Sequence, residues 1–154
     1  AKNSELHFAK QSMDSIIQDV VFVHESDAEK RGIRLELFWP PDLPPVHMDA
    51  QLMHHALINL VMNSLEAMTS PGDIVIKGSN DKDCLVIIIE DTGPGIDPGL
   101  VGQIFDPSFT TKGRKGTGLG LSIVEAILEA HSGTIECHSD PGKGTRFTLR
   151  LPQD

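Results

Sequence analysis

The chain has 154 residues, 39% of them hydrophobic and 23% charged, with a formal net charge of −9. That length fits one domain with a real core, and the composition is ordinary for a globular protein. No apolar run approaches the roughly 20 residues of a membrane span, and nucleic acid is not expected as a partner, because binding it takes basic stripes that this acidic chain lacks.

Residues 1 to about 11 read as the end of a helix whose partner lies outside the chain. Ser12 to Arg31 reads as a helix, with Met13, Ile16, Ile17, Val20, Val21 and Val23 on a stripe near the 3.6 period; Gly32 ends it. Ile33–Trp39 alternates as a strand. Pro40-Pro41-Asp42-Leu43-Pro44-Pro45 is a loop, and Val46–Met48 a short strand. Asp49 is placed as the N-cap of a helix running to about Met68, with Leu57, Val61, Ser64/Leu65 and Met68 buried.

After Pro71-Gly72, strands are expected over Asp73–Gly78 and Cys84–Glu90, joined by a Ser79–Asp83 turn. The run Val86-Ile87-Ile88-Ile89 suggests burial on both faces. Asp91 to Leu119 is rich in Gly, Pro and Thr, and loops of that length are usually functional. A helix follows over about Gly118–His131, then strands Thr134–Ser139 and Thr145–Leu151 around the turn Asp140-Pro141-Gly142-Lys143-Gly144. Cys84 and Cys137 have no C-x-x-C spacing and read as two buried reduced thiols. His54 and His55 are adjacent, so they diverge on a helix and do not form a chelating pair.

Three segments carry chemistry. Asn59 and Asn63 lie at i, i+4 on one helix face. An amide oxygen is a neutral ligand suited to hard Mg²⁺; the same pair also suits a solvated face. Asp91 directly follows a buried strand, where ligands gather, and its carboxylate can accept a hydrogen bond from an exocyclic amine such as that of adenine. Gly93 and Gly95 allow a flat ring to approach, although Asp-x-Gly turns are common without a ligand. Gly116-Thr117-Gly118-Leu119-Gly120-Leu121-Ser122 opens a helix without following a strand, so it is not a dinucleotide fingerprint, and it lacks the Gly-Lys-Ser/Thr ending of a Walker A loop. It does offer backbone N–H groups at a helix N-terminus, suited to phosphate. Lys112, Arg114 and Lys115 stand just ahead, supplying the local positive charge that an acidic chain needs to bind a polyphosphate.

These segments, in this order, closely resemble the ATP-binding catalytic domain of bacterial sensor histidine kinases in the GHKL ATPase/kinase superfamily, over about Ile16 to Leu151. The N-box resembles His55-Ala56-Leu57-Ile58-Asn59-Leu60-Val61-Met62-Asn63-Ser64-Leu65-Glu66-Ala67-Met68. The G1-box matches Asp91-Thr92-Gly93-Pro94-Gly95-Ile96, the F-box Ile104-Phe105-Asp106-Pro107-Ser108-Phe109-Thr110-Thr111-Lys112, and the G2-box Gly116 to Val124. Gly142-Lys143-Gly144-Thr145 matches the late glycine motif. The F-box and the N-box ending look like those of nitrogen-regulation sensors.

The resemblance implies an α/β two-layer sandwich, with a mixed sheet covered on one face by helices and a mobile ATP lid over about Asp97–Gly116. It implies a catalytic ATP-binding domain over 12–154, with residues 1–11 ending the preceding dimerisation and phosphoacceptor helix. By resemblance, Asn63 is the Mg²⁺ ligand and Asn59 its phosphate-side neighbour. Asp91 reads the adenine amine, with Gly93, Gly95 and Ile96 shaping the base pocket and Thr145 closing it. Lys112 approaches the terminal phosphates, and Thr117, Gly118, Leu119, Gly120 and Leu121 form the phosphate cradle.

The implied activity is transfer of the ATP γ-phosphoryl group to a histidine, leaving ADP. The partners would be the chain's own or a sister subunit's dimerisation domain, and a response regulator downstream. The domain itself is expected in the cytoplasm without membrane contact, in a parent that can be membrane-anchored. His24-Glu25 lacks the apolar, basic and Pro residues that follow the family's acceptor, so the acceptor is expected elsewhere. Hydrolytic relatives place a Glu one turn before the metal-binding Asn; here that position is Asn59, which points to a kinase with weak hydrolysis. A non-catalytic nucleotide-sensing module and an anti-sigma-type serine kinase are the alternatives from the same superfamily.

Overall fold

In the computed structural model, residues 6–107 and 117–153 are described, with backbone alone for 117–119. Among the described residues, seven strands and three helices follow one another as β1 Phe8–Gln11, α1 Asp14–Lys30, β2 Ile33–Phe38, β3 Val46–Asp49, α2 Ala50–Ala67, β4 Gly72–Asp81, β5 Cys84–Asp91, α3 Thr117–Ala130, β6 Thr134–Asp140 and β7 Gly144–Pro152. A 3₁₀ turn covers Val101–Gln103.

Five strands form one mixed sheet in the order β2-β4-β5-β7-β6. β2 runs parallel to β4, because α2 lies between them in the chain, and the other pairs are antiparallel. Strand alternation sends Ile74, Ile76, Ile87, Ile89, Phe147, Leu149 and Leu151 to one side, where they are buried against Leu57, Leu60, Leu65, Val124 and Leu128 of the helices. The opposite residues make exposed cross-strand ion pairs, Glu90 with both Lys77 and Arg146 at 3.7 Å and Asp73 with Arg34 at 3.4 Å. Such exposed pairs contribute little to stability; they keep this face wet and the helices on the other. The expected two-layer sandwich, helices on one face of a mixed sheet, is therefore the observed one.

Two expectations are corrected. Phe8–Gln11, read as helix, form a strand antiparallel to β3, with Phe8 opposite Asp49 and Gln11 opposite Val46. Here long-range pairing overrides local pattern: the Phe8 ring lies 5.6 Å from the His47 ring and 4.7 Å from the His131 ring. Val23, assigned to the buried stripe of α1, is 53% exposed beside Phe22 at 74%, while Met13, Ile16, Ile17 and Val20 are buried. Val23 lies past the edge of an arc that only one flat neighbouring surface covers.

α2 starts as its sequence indicates. The Asp49 side chain accepts the Leu52 N–H at 3.1 Å and leaves the α2 stripe, Met53, Leu57, Leu60, Val61 and Leu65, buried. The Asp49 carboxyl is held below its ordinary value, first by the His7 backbone N–H and further by the N–H groups of Leu52 and Gln51 at the helix start, against the opposing effect of burial.

Candidate nucleotide-binding site

β5 ends on Asp91 at the inner face of the sheet, where the side chain is 7% exposed. One carboxylate oxygen accepts the Gly93 N–H at 2.9 Å. Burial pushes this carboxyl above its ordinary value, while the Gly93 N–H, the Ser64 hydroxyl and the Thr145 N–H pull it back. An acceptor held at the floor of a cleft, with partners for only part of its capacity, suits recognition of an N–H donor.

Asp91 lines a cavity of about 70 Å³ with Asn63, Ser64, Pro94, Gly95, Ile96 and Thr145. Its enclosed part admits one edge of a flat ring rather than a whole base. A larger recess of about 540 Å³ lies between the β6–β7 hairpin and the Pro98–Val101 segment, and shares Asp91 and Thr145 with the first. Cys137 stands in that recess, its thiol pushed up to about 11 by burial and then by the Asp91 charge. Both cysteines are free, but each is half-buried rather than fully buried.

The loop after Asp91 is strapped to the β6–β7 hairpin. Gly142 N–H donates to the Pro94 carbonyl at 2.7 Å, and Ile96 N–H donates to Ser139 Oγ at 2.7 Å. Gly95 has φ +78°, and a Cβ there would stand on the Asp140 carbonyl; Gly144 has φ +124°, and a Cβ there would stand on the Asp91 carbonyl. Both glycines are required by close backbone approach as well as by conformation. Thr145 pairs opposite Asp91 in the β5–β7 register and is buried.

Asn59 and Asn63 are both half-buried on α2. Asn63 joins the cavity, whereas Asn59 faces the start of α3, its Oδ1 3.7 Å from the position of a Cβ on Gly120. The fold thus brings together Asn59, Asn63, Asp91, Gly95, Ile96, Gly120 and Thr145, with Leu121 buried just inside α3. Gly93 lies beside the Asp91 carboxylate and Met68. Lys112 and Gly116 lie outside the described residues, as do the side chains of Thr117 and Leu119. Of Gly118 only the backbone is described, within the first turn of α3.

Ser64, expected on the buried stripe of α2, is buried next to Asn63 and bonds Asp91, a contact the sequence did not show. Ser139 carried no signal, as one small polar residue in an alternating strand. His24 is buried on α1, its Nδ1–H donating to the Val20 carbonyl at 2.9 Å. Among the described residues, no group of three or more His, Cys, Asp or Glu could hold a metal, and no helix is long and apolar enough to cross a membrane. The Asn63 amide oxygen, lining the same cavity, is a neutral ligand of the kind a hard cation accepts.

The family described as histidine kinase-, DNA gyrase B-, and HSP90-like ATPase matches residues 48–154. The sensor histidine kinase ZraS of Escherichia coli K12 is 37% identical over 148 residues, 95% of this chain and 32% of that protein. The signal transduction histidine-protein kinase AtoS of the same strain is 44% identical over 142 residues, 92% of this chain and 23% of that protein. The chain thus spans about a third or less of the length of these relatives. The catalytic domain of histidine kinase ThkA superposes with a TM-score of 0.87 at 31% identity, covering 96% of this chain and 97% of that one. ThkA in complex with response regulator protein TrrA matches with a TM-score of 0.82 at 29% identity, over 97% of this chain and 42% of that one. With the family matched over most of its length and a solved relative over nearly all of it, the chain belongs to the histidine kinase-, DNA gyrase B- and HSP90-like ATPase family, as a histidine-kinase catalytic domain.

Proposed function

We propose that this domain binds MgATP between α2, the end of β5 and the start of α3, and passes the γ-phosphoryl group to a histidine on a separate dimerisation domain of its own or a sister subunit, with a response regulator as the next acceptor. The observation that carries this reading is the convergence of Asp91, Asn63 and Thr145 on one cavity at the end of β5, with the Gly120 turn of α3 facing Asn59. ATP use follows from the family; Mg²⁺, the site residues and the acceptor are our assignments. The complex of ThkA with TrrA supports a response regulator as partner by analogy.

Asp91, ionised, accepts the adenine amine. Gly95, Ile96 and Thr145 hold the ring, and Gly93 keeps the Asp91 carboxylate aimed by donating to it. The free N–H groups of the first turn of α3, from Thr117, Gly118 and Leu119, meet phosphate oxygens at a helix start, with Gly120 and Leu121 completing the cradle. Asn63 holds the cation through its amide oxygen, with Asn59 beside it, and Lys112 meets the terminal phosphates. Bound there, Mg²⁺ supplies charge neutralisation on the phosphates. Phosphoryl transfer needs positioning and charge neutralisation more than covalent chemistry from the protein. Neither Asn59 nor Asn63 takes a proton from water at neutral pH, which favours transfer over hydrolysis.

The segment ahead of β1 leads, in this reading, to the dimerisation domain of a cytoplasmic kinase module, and the nitrogen-regulation-sensor subdivision rests on the F-box and N-box residues. The decisive experiment is labelling of the parent protein with γ-labelled ATP and Mg²⁺, followed by acid and alkali. Label lost in acid and kept in alkali marks phosphohistidine; label that survives acid overturns the reading.

A further inference from the structure

Ser139 sits on the inward side of β6, half-buried, opposite Thr145 in the β6–β7 register. Its hydroxyl meets three groups at once. It donates to the Gly144 carbonyl at 3.0 Å, accepts the Ile96 N–H at 2.7 Å, and lies 3.0 Å from Thr145 Oγ1. A hydroxyl has one proton. With that proton on the Gly144 carbonyl, the Thr145 hydroxyl is the donor in the third contact, and the Ser139 oxygen accepts twice. One small side chain therefore ties together two loops that are 43 residues apart in the chain.

What it ties matters. Ile96 and Thr145 both line the Asp91 cavity, while Ser139 does not; it lines the neighbouring recess. The spacing of those two walls decides whether the edge of a flat ring reaches the Asp91 carboxylate. The nearby bond from Gly142 N–H to the Pro94 carbonyl holds the same loop, but Gly142 lies outside the cavity wall.

We propose that Ser139 is a positioning residue for adenine selection: its hydroxyl clamps Ile96 and Thr145 at the separation that presents the base edge to Asp91. The inference rests on the base-pocket reading given above. A misplacement of about 1 Å can remove most of what a positioned group contributes, and a site built to pair a polar group discriminates only while that group is held in reach.

The test is competition binding of ATP, GTP and inorganic triphosphate to this chain carrying Ser139→Ala, Ser139→Cys or Asp91→Asn. In Ser139→Ala the preference for ATP over GTP is expected to fall about tenfold, the scale of the hydrogen bonds lost, with inorganic triphosphate binding unchanged. An unchanged ATP/GTP ratio overturns the inference, even where the melting temperature drops, because a purely structural tie lowers stability without changing selectivity. Should Ser139→Ala fail to fold, Ser139→Cys keeps the volume with a weaker donor and acceptor, and a ratio equal to the unmutated chain is again fatal. Asp91→Asn separates the two layers. If it keeps the ATP preference, the base-pocket reading fails and this inference with it; if it loses the preference while Ser139→Ala keeps it, the inference about Ser139 alone fails.

Discussion

His131 Nε2, at the end of α3, accepts the backbone N–H of Asp49 at 3.0 Å, across 82 residues of chain. Its Nδ1–H donates to the Ile127 carbonyl at 2.8 Å, so the ring is a neutral imidazole with its proton on Nδ1. The Asp49 residue whose N–H it accepts is the N-cap of α2. One buried ring therefore locks the far end of α3 to the start of the helix that carries Asn59 and Asn63, and Phe8 packs upon it.

Replacing His131 with Ala should leave the Asp49 N–H buried without its acceptor and open a cavity under Phe8. Each effect is costly, and together they should lower unfolding stability by about 2–4 kcal/mol. Denaturant unfolding monitored by circular dichroism checks this. A loss below about 1 kcal/mol would mean that water replaces the imidazole without penalty.

Gly144→Ala and Gly142→Ala make a matched pair. Both glycines have positive φ, +124° and +80°, but a Cβ on Gly142 meets nothing within 4 Å, whereas one on Gly144 meets the Asp91 carbonyl. Gly142→Ala should cost about 1 kcal/mol, the price of a left-handed alanine, and leave ATP binding intact. Gly144→Ala should cost at least about 3 kcal/mol and weaken ATP binding, because the Asp91 backbone has to move. Equal costs for the two would refute the steric argument.

These contrasts show what was legible beforehand. Asp49 as N-cap, the α2 stripe and Asp91 at a strand end all rest on contacts within a few residues, so periodicity and capping chemistry reveal them. The β6–β7 hairpin was visible for the same reason, within a residue or so at each end. Phe8–Gln11 were misread because only pairing with β3 and stacking on His47 and His131 make them a strand, and neither partner is near in sequence. Ser139 was invisible because its meaning depends on Ile96; Ser64 was placed as a buried position of α2, but its bond to Asp91 was not visible because the partner lies far along the chain. The residues proposed for the site were chosen through motif order, which carries long-range information that periodicity does not.

Asn59→Glu asks whether the amide at this position is what restrains hydrolysis. Asn59 Oδ1 lies 3.7 Å from the Cβ position of Gly120, so a Glu would place a carboxylate at the opening turn of α3. A positioned general base is worth about 10²–10⁴-fold in favourable cases. An increase of at least about tenfold in ATP hydrolysis, read by phosphate release, is therefore expected, with ATP affinity largely kept. No increase, or vigorous hydrolysis by the unmutated chain, would sink the assignment.

The last prediction concerns pH. The folded-state pKa of Asp91 lies above its ordinary 3.8, chiefly through burial. Between the two values the folded chain holds a proton that the unfolded chain has released, so the stability contributed by this group is fully present below pH 3.8 and is lost as pH rises through the folded value. Recognition runs the other way. On the proposed reading the ionised carboxylate accepts the adenine amine more strongly than the protonated acid does, so selection for the amine should weaken as pH falls through the folded pKa, beginning at a higher pH than an ordinary aspartate would give. Phosphate titration would mask this in ATP affinity alone. Comparing ATP with purine riboside triphosphate, which lacks the amine, cancels it, since both carry the same phosphates. The ratio of their affinities should decline as pH falls through the folded value, above the ordinary 3.8, and Asp91→Asn should show a small ratio that does not change over the same range. A ratio that stays constant in the unmutated chain would show that Asp91 does not read the amine as a carboxylate.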